Sequence, residues 1–159
     1  MPDYVSPMSV SLRPITEDDL ETLFVHQTDK IAAKLAQFSS RSREAFYEHW
    51  RLNILNRRDV LAYGIDVEGL LVGSICHWNS DGQACIGYWI ERAYWGRGIA
   101  TSALKAFLPL ITSRPIFAHV AEHNIASQKL LLARGFQMTG ELIKEEGDIA
   151  PLIEFVLTN

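Results

Sequence analysis

Apolar and polar residues alternate over 10–13, with Val10 and Leu12 on one side and Ser11 and Arg13 on the other. That period predicts a short strand, which Pro14 ends. The period then lengthens. Thr16 precedes Glu17, Asp18 and Asp19, an N-cap followed by acids in the first turn. Leu20, Leu23, Phe24 and Gln27 follow at helical spacing. A second helix starts at Ser42, with Phe46, Trp50 and Ile54 recurring at every fourth position. Residues 30–41 carry no pattern that assigns an element. Extended patterning returns over 60–67, 70–78 and 83–90, separated by turn signals at Glu68-Gly69 and at Asn79-Ser80-Asp81-Gly82. These predict an antiparallel meander of three strands.

The second half alternates strand and helix. A helix from Arg97 presents Ala103, Leu104, Phe107 and Leu108 as one apolar stripe, and Pro109 bends or ends it. A strand over 116–120 follows, parallel to the strand before the helix by the βαβ rule. Asn124 caps another helix, which stops at Gly135-Phe136 in a Schellman arrangement. Residues 138–144 and 152–157 read as a closing hairpin around Glu146-Gly147-Asp148. No repeat or linker divides the chain. A tail over 1–9 and a single mixed α/β domain over 10–159 are expected.

Composition narrows the class. A chain of 159 residues, 48% apolar and 21% charged, is one domain with enough core to need no covalent staple. A net charge of −4 argues against nucleic acid as partner and suits a cationic substrate such as an amine. No apolar run reaches membrane-span length, so no membrane partner is expected. The N-terminus lacks signal-peptide features, and a cytoplasmic location is expected. Arg57-Arg58 is a short solvated pair, and Phe46, Tyr47 and Trp50 read as a helix core face. The five histidines and two cysteines fit no zinc spacing, so no metal is expected. A turn centred between Ser80 and Asp81 sets Cys76 opposite Cys85; one centred on Asp81-Gly82 sets Cys85 opposite Trp78. Free thiols are expected in either register.

The chemistry concentrates in 86–104, IGYWIERAYWGRGIATSAL. An apolar strand leads through a glycine-containing turn into a helix start. Unpaired N–H groups and the helix dipole make that end an anion site. Gly96 and Gly98 allow several N–H groups to surround one phosphate. A P-loop would need Lys-Ser/Thr after the second glycine, and Ile99 stands there. A dinucleotide fingerprint would need Gly or Ala at Thr101. The segment resembles the Q/R-x-x-G-x-G/A motif of the GNAT acetyltransferases, which cradles the pyrophosphate of coenzyme A. Trp95 takes the Q/R position, Gly98 the first glycine and Ala100 the last. YWGRGIAT resembles the RimJ/RimL-like branch, as does the Asn124-x-x-Ser127…Gly135-Phe136 spacing.

The resemblance implies a GNAT-like fold. Its central mixed, mostly antiparallel sheet has six to seven strands, helices on both faces and one parallel βαβ unit at the acetyl-CoA site. The two helices before the meander would wall the acceptor side. Coenzyme A would be held by the backbone of Trp89 and Ile90, by Trp95, Gly96, Arg97, Gly98, Ile99, Ala100 and Thr101, and by Asn124 and Ser127. The implied activity is acetyl transfer from acetyl-CoA to a primary amine, either a protein N-terminal α-amine or a small molecule, by direct attack in a ternary complex. The Ile90 N–H would stabilise the carbonyl oxygen. The wider superfamily has Ala at the Ser127 position and, at Leu131, a Tyr that protonates the departing thiolate. Leu131 cannot do this, and the Ser127 hydroxyl on the same face is a candidate relay. Many relatives place a Glu base where Cys85 stands, and a thiol is a poor base. Glu122, His119, His123 or a water chain are the substitutes considered. The rival reading, a non-catalytic acyl-CoA-binding or sensor domain, rests on Cys85 alone. Oligomeric state is not encoded in this pattern, and a homodimer is compatible with it.

Overall fold

The computed structural model describes residues 9–144 and 151–159. Nearly all of the expected tail and the turn at 146–148 lie outside that range. Among the described residues seven strands form one sheet in the order β1-β2-β3-β4-β5-β7-β6. They are β1 Val10–Pro14, β2 Leu61–Val67, β3 Leu70–Ser80, β4 Gln83–Ile90, β5 Ile116–Ala121, β6 Gln137–Ile143 and β7 Leu152–Leu157. Every neighbouring pair is antiparallel except β4–β5, which is parallel. The closing pair does form, but β7 lies inside it, between β5 and β6.

The meander turns on Asp81-Gly82, both at positive φ, the backbone that a two-residue hairpin needs. Ser80 therefore faces Gln83, Cys85 faces Trp78, and Cys76 faces Gly87. Neither Cys76 nor Cys85 is in a disulfide. The strand before this turn runs two residues further than its pattern indicates, to Ser80.

Among the described residues five α-helices flank the sheet: α1 Leu20–Gln27, α2 Lys30–Leu35, α3 Arg43–Trp50, α4 Ile99–Phe107 and α5 Ile125–Ala133. The sheet separates two buried clusters. Along β2, Tyr63, Ile65 and Val67 pack with Ile99, Leu104, Phe107 and Leu131 of α4 and α5. Ala62, on the opposite side of the pleat, packs with Leu20, Leu23, Phe46 and Trp50 of α1 and α3. Asp19 starts the first helical segment by accepting the Thr16 N–H at 2.8 Å, and Arg13 of β1 binds both Asp19 and Asp66 of β2. After α3 the chain widens into a π turn over Arg51–Leu55, which extends the Phe46–Trp50–Ile54 face.

Sequence periodicity missed α2. Asp29 caps it by accepting the Ile31 and Ala32 N–H groups, and its other oxygen accepts Arg92 Nε at 2.7 Å. At the far end, His123 Nε2 donates to the Lys34 carbonyl at 3.0 Å. The short helix is thus tied to the turns that follow β4 and β5. Asn124 caps α5 through the Ser127 N–H. Gly135, at φ 95°, ends it with the paired Phe136→Leu131 and Gly135→Leu132 bonds of the Schellman motif.

Candidate active site

The parallel pairing of β4 and β5 covers only Ala84 with Ile116 and Cys85 with Phe117. Beyond it the strands separate. The opening is a cavity of about 400 Å3 between 86–90 of β4 and 118–121 of β5, roofed by Ala32, Leu35 and Ala36 of the α2 segment. Tyr94, Trp95, Gly96, Gly98, Ile99, Ala100 and Thr101 close one end, and Asn124, Ser127 and Leu131 another.

Backbone direction along β4 decides what this cavity offers. In an antiparallel ladder one residue's N–H and C=O point to the same edge, and successive residues point to opposite edges. The Glu91 N–H donates to the Val72 carbonyl at 2.7 Å, so Glu91 faces β3. Ile90 therefore faces the open edge. Its carbonyl accepts the Trp95 indole N–H at 2.8 Å, which leaves its N–H directed into the opening. Tyr88 comes next on that edge. Trp89 lies between them, and its carbonyl faces β3: a Cβ on Gly73 would sit 2.2 Å from it. The backbone pair lining the cavity is Tyr88 and Ile90. Trp89, expected to pair through its backbone, has its carbonyl turned toward β3 instead.

At the helix start, Gly98 is the N-cap of α4 with φ 74° and ψ 11°, and Gly96 also has φ 74°. A Cβ at either glycine would meet nothing within 4 Å, so the space they face is open. These features fit a pyrophosphate: bare left-handed backbone, unpaired first-turn N–H groups and an adjoining open strand edge. They also fit a pantetheine arm laid along β4. Trp95, Gly96, Gly98, Ile99, Ala100 and Thr101 line the cavity. Arg97 does not; it is exposed, with its guanidinium 5.4 Å from the Tyr94 ring centre.

The α5 end holds a pair that sequence spacing missed. The Ser127 hydroxyl bonds the Tyr88 hydroxyl across the cavity. Burial pushes the Tyr88 phenol above the ordinary tyrosine range, although the Ser127 bond works the other way. The phenol is therefore protonated at neutral pH. The signal for it was the strand period: Tyr88 shares its side of β4 with Ile86 and Ile90, both of which pack toward α4.

The three suggested bases are placed differently. Glu122 is exposed, its carbonyl accepts Gln128 Nε2 at 2.8 Å, and it lines neither cavity described here. His119 lines the β4–β5 cavity but is tied to Glu154 at 3.1 Å. His123 holds α2, as above. Cys85 is buried, and its thiol points to the Gln83 carbonyl at 3.7 Å.

A second cavity, about 530 Å3, opens on the other face of β4. It meets the first at Gly87, Tyr88 and Trp89, which line both. Leu23, Phe46, Trp50, Ile54 and Trp78 make its wall apolar, and His26, His49, Arg41, Arg57 and Asp59 are among its ionisable members. His26 lies 3.5 Å from a Glu91 carboxylate oxygen, and its Nδ1 is buried without a partner. Burial lowers the pKa of His26 against the pull of Glu91, and lowers that of His49 together with Arg41. Both imidazoles are neutral at pH 7 and can accept a proton. Cys76 also lines this cavity, but burial pushes its thiol up to about 12, so it is not a thiolate near neutral pH. Helical periodicity held a sign of the two histidines: His26 follows Leu23, and His49 follows Phe46, by three positions on core faces.

The family model described as "Acetyltransferase (GNAT) domain" matches residues 9–137. No curated protein sequence matches the chain. Among solved structures, aminoglycoside acetyltransferase AAC(6')-Ib with coenzyme A and kanamycin superposes with a TM-score of 0.80 at 18% identity, over 95% of each chain. Spermidine N-acetyltransferase from Vibrio cholerae, with CoA and spermine, gives 0.79 at 17% identity, over 94% of this chain and 95% of that one. Mycobacterium smegmatis RimJ with CoA-disulfide gives 0.71 at 22% identity, over 99% and 88%. At these identities the likeness is one of fold. No helix among the described residues is long and apolar enough to cross a membrane. No group of three or more metal-ligating side chains is gathered among them either.

Proposed function

The chain belongs to the acetyltransferase (GNAT) family, and from that premise we propose that it transfers an acetyl group from acetyl-CoA to a primary amine. The acceptor is a small molecule or a protein N-terminal α-amine, and the transfer is direct, within a ternary complex. YWGRGIAT and the Asn124-to-Phe136 spacing support a place in the RimJ/RimL-like branch. One observation carries the reading: two cavities on opposite faces of β4 meet at Gly87, Tyr88 and Trp89. A thioester on one side and an amine on the other would be brought together across a single strand.

Acetyl-CoA supplies the thioester-activated acetyl group. The N–H groups at Gly98 and in the first turn of α4 would hold its pyrophosphate, and the open edge at Tyr88 and Ile90 its pantetheine arm. The Ile90 N–H, aimed into the opening, would bear on the thioester oxygen as charge develops there. His26 or His49 would take the amine's proton, since each is neutral and lines the acceptor cavity. Ser127 and Tyr88 would return a proton to the departing sulfur.

The test is calorimetric titration with coenzyme A, followed by thiol release from acetyl-CoA over a panel of primary amines. Micromolar coenzyme A binding and amine-dependent release are expected. Binding without release for any amine would favour a non-catalytic acyl-CoA sensor, and absence of binding would remove both readings. In the active case, kcat/KM should hold to below about pH 6.5 and fall beneath it, as the lowered imidazoles protonate. Replacing the imidazole that acts, His26→Gln or His49→Gln, should remove that acid limb.

A further inference from the structure

We propose that the acceptor is an amino-acid-like amine, with an apolar body in the second cavity and a carboxylate beside its amine that pairs with Arg41. The inference rests on the acetyltransferase reading above and specifies its acceptor.

The charges of the acceptor cavity carry it. Arg57 and Asp59 pair with each other through two bonds of 2.9 and 2.8 Å and cancel. His26 and His49 are neutral. That leaves Arg41, whose guanidinium has no carboxylate within ion-pair reach among the described residues. It is half-buried, so desolvation works against its charge. A partly desolvated guanidinium facing an apolar cavity is matched by a planar carboxylate, which it can bind through two parallel bonds.

Its position is fixed as well. Gln27 holds the Arg41 backbone from both sides: Nε2 donates to the Arg41 carbonyl at 3.0 Å, and Oε1 accepts its N–H at 2.7 Å. The guanidinium lies 5.4 Å from the Phe38 ring centre, and Phe38 packs edge-on against Trp89 with centroids 5.4 Å apart. Arg41 is thus one ring away from the strand where the two cavities meet. A carboxylate held there belongs close to the reacting amine. The rest of the acceptor extends toward Phe46, Trp50, Ile54 and Trp78, an aromatic and aliphatic wall. A polycation has no place in it, because Asp59, the one carboxylate on the wall among the described residues, is already paired.

Matched acceptors test this. Trp50, Trp78 and Trp89 line the cavity, so tryptophan fluorescence reports its occupancy. Protein saturated with coenzyme A is titrated with L-phenylalanine, L-phenylalaninamide and spermidine, and again with L-leucine and L-leucinamide. The amides keep the body and the amine, lose the carboxylate, and mimic a peptide N-terminus. Each acid should bind at least about tenfold more tightly than its amide, the loss expected for one charge-assisted bond. Spermidine should bind more weakly than either. In Arg41→Gln the acid and the amide should bind alike, and Arg41→Lys should restore part of the preference. Unchanged coenzyme A affinity in both variants verifies their fold. Amides binding as well as acids, spermidine binding best, no acceptor binding at all, or a preference that survives Arg41→Gln would each overturn the inference. Failure of the wild-type protein to bind coenzyme A would instead remove the acetyltransferase reading and this inference with it.

Discussion

In the proposed mechanism Tyr88 and Ser127 together take the part that the family resemblance gives to a tyrosine at position 131. Leu131 itself is fully buried and points into the core. The hydroxyl pair reaches the cavity from both walls, one from β4 and one from α5. Ser127 is not the cap of its helix, since Asn124 accepts the Ser127 N–H and fills that role. Removing the Ser127 hydroxyl should therefore cost little stability, about 1 kcal/mol or less, or a Tm lower by roughly 2–4 °C. If the pair delivers the proton to sulfur, Ser127→Ala and Tyr88→Phe should each lower kcat by roughly ten- to a thousand-fold, with coenzyme A affinity nearly unchanged. The double variant should fall little further than the worse single one, because the two hydroxyls act as one unit. Steady-state kinetics of the three variants decides it: kcat within twofold of the parent protein in both single variants would end the role of the pair.

At the scale of the element, the β4–α4 crossover is the part that sequence determines most fully. A glycine at φ 74° heads the helix, and no L-residue takes that backbone without strain. Gly98→Val should lower Tm by several degrees, on the order of 1–2 kcal/mol of left-handed strain, and should abolish coenzyme A binding by filling the space the glycine faces. Gly69→Ala is a control, since Gly69 also sits at positive φ with open space around it, but in the β2–β3 turn. It should carry comparable strain and leave coenzyme A affinity intact. Calorimetry of both proteins separates ligand loss from strain, and unchanged affinity in a folded Gly98→Val would show that no phosphate sits there. The helix α2 shows the opposite case. Its six residues span less than two turns, too few for a period to emerge, and its stability comes from Asp29, Arg92 and His123 at its ends. Those are contacts between distant segments. Arg41 was likewise silent in the sequence, because the role proposed for it depends on Gln27, Phe38 and the absence of a facing carboxylate among the described residues. The insertion of β7 beside β5 has the same origin: alternation marks a strand but does not name its neighbour.

Over the whole molecule, the histidines set how stability responds to pH. His26, His49 and His77 are each held below the ordinary imidazole range, in every case mainly by burial. Opposite charges oppose this at two of them: Glu91 faces His26, and Asp59 acts on His77, while Arg41 adds to the lowering at His49. Below about pH 6.5 the unfolded chain therefore binds protons that the folded chain refuses, and the stability present above that pH is lost as pH falls through the lowered values. The carboxylates give a second, more acidic loss. Asp19, bound by Arg13, is held below the usual carboxylate range, so its contribution disappears only well under pH 4. His77 isolates the first phase. It is 8% exposed, both its ring nitrogens are buried without partners, and it lines neither cavity, so its replacement leaves the site intact. Thermal unfolding should give a Tm a few degrees lower at pH 5.5 than at pH 7.5 in the parent protein. His77→Leu, which removes two unsatisfied polar atoms at similar volume, should raise Tm at both pH values and raise it more at pH 5.5. A Tm that does not change between pH 7.5 and 5.5, or a His77→Leu variant with the parent's full pH dependence, would mean that these buried imidazoles do not govern acid stability.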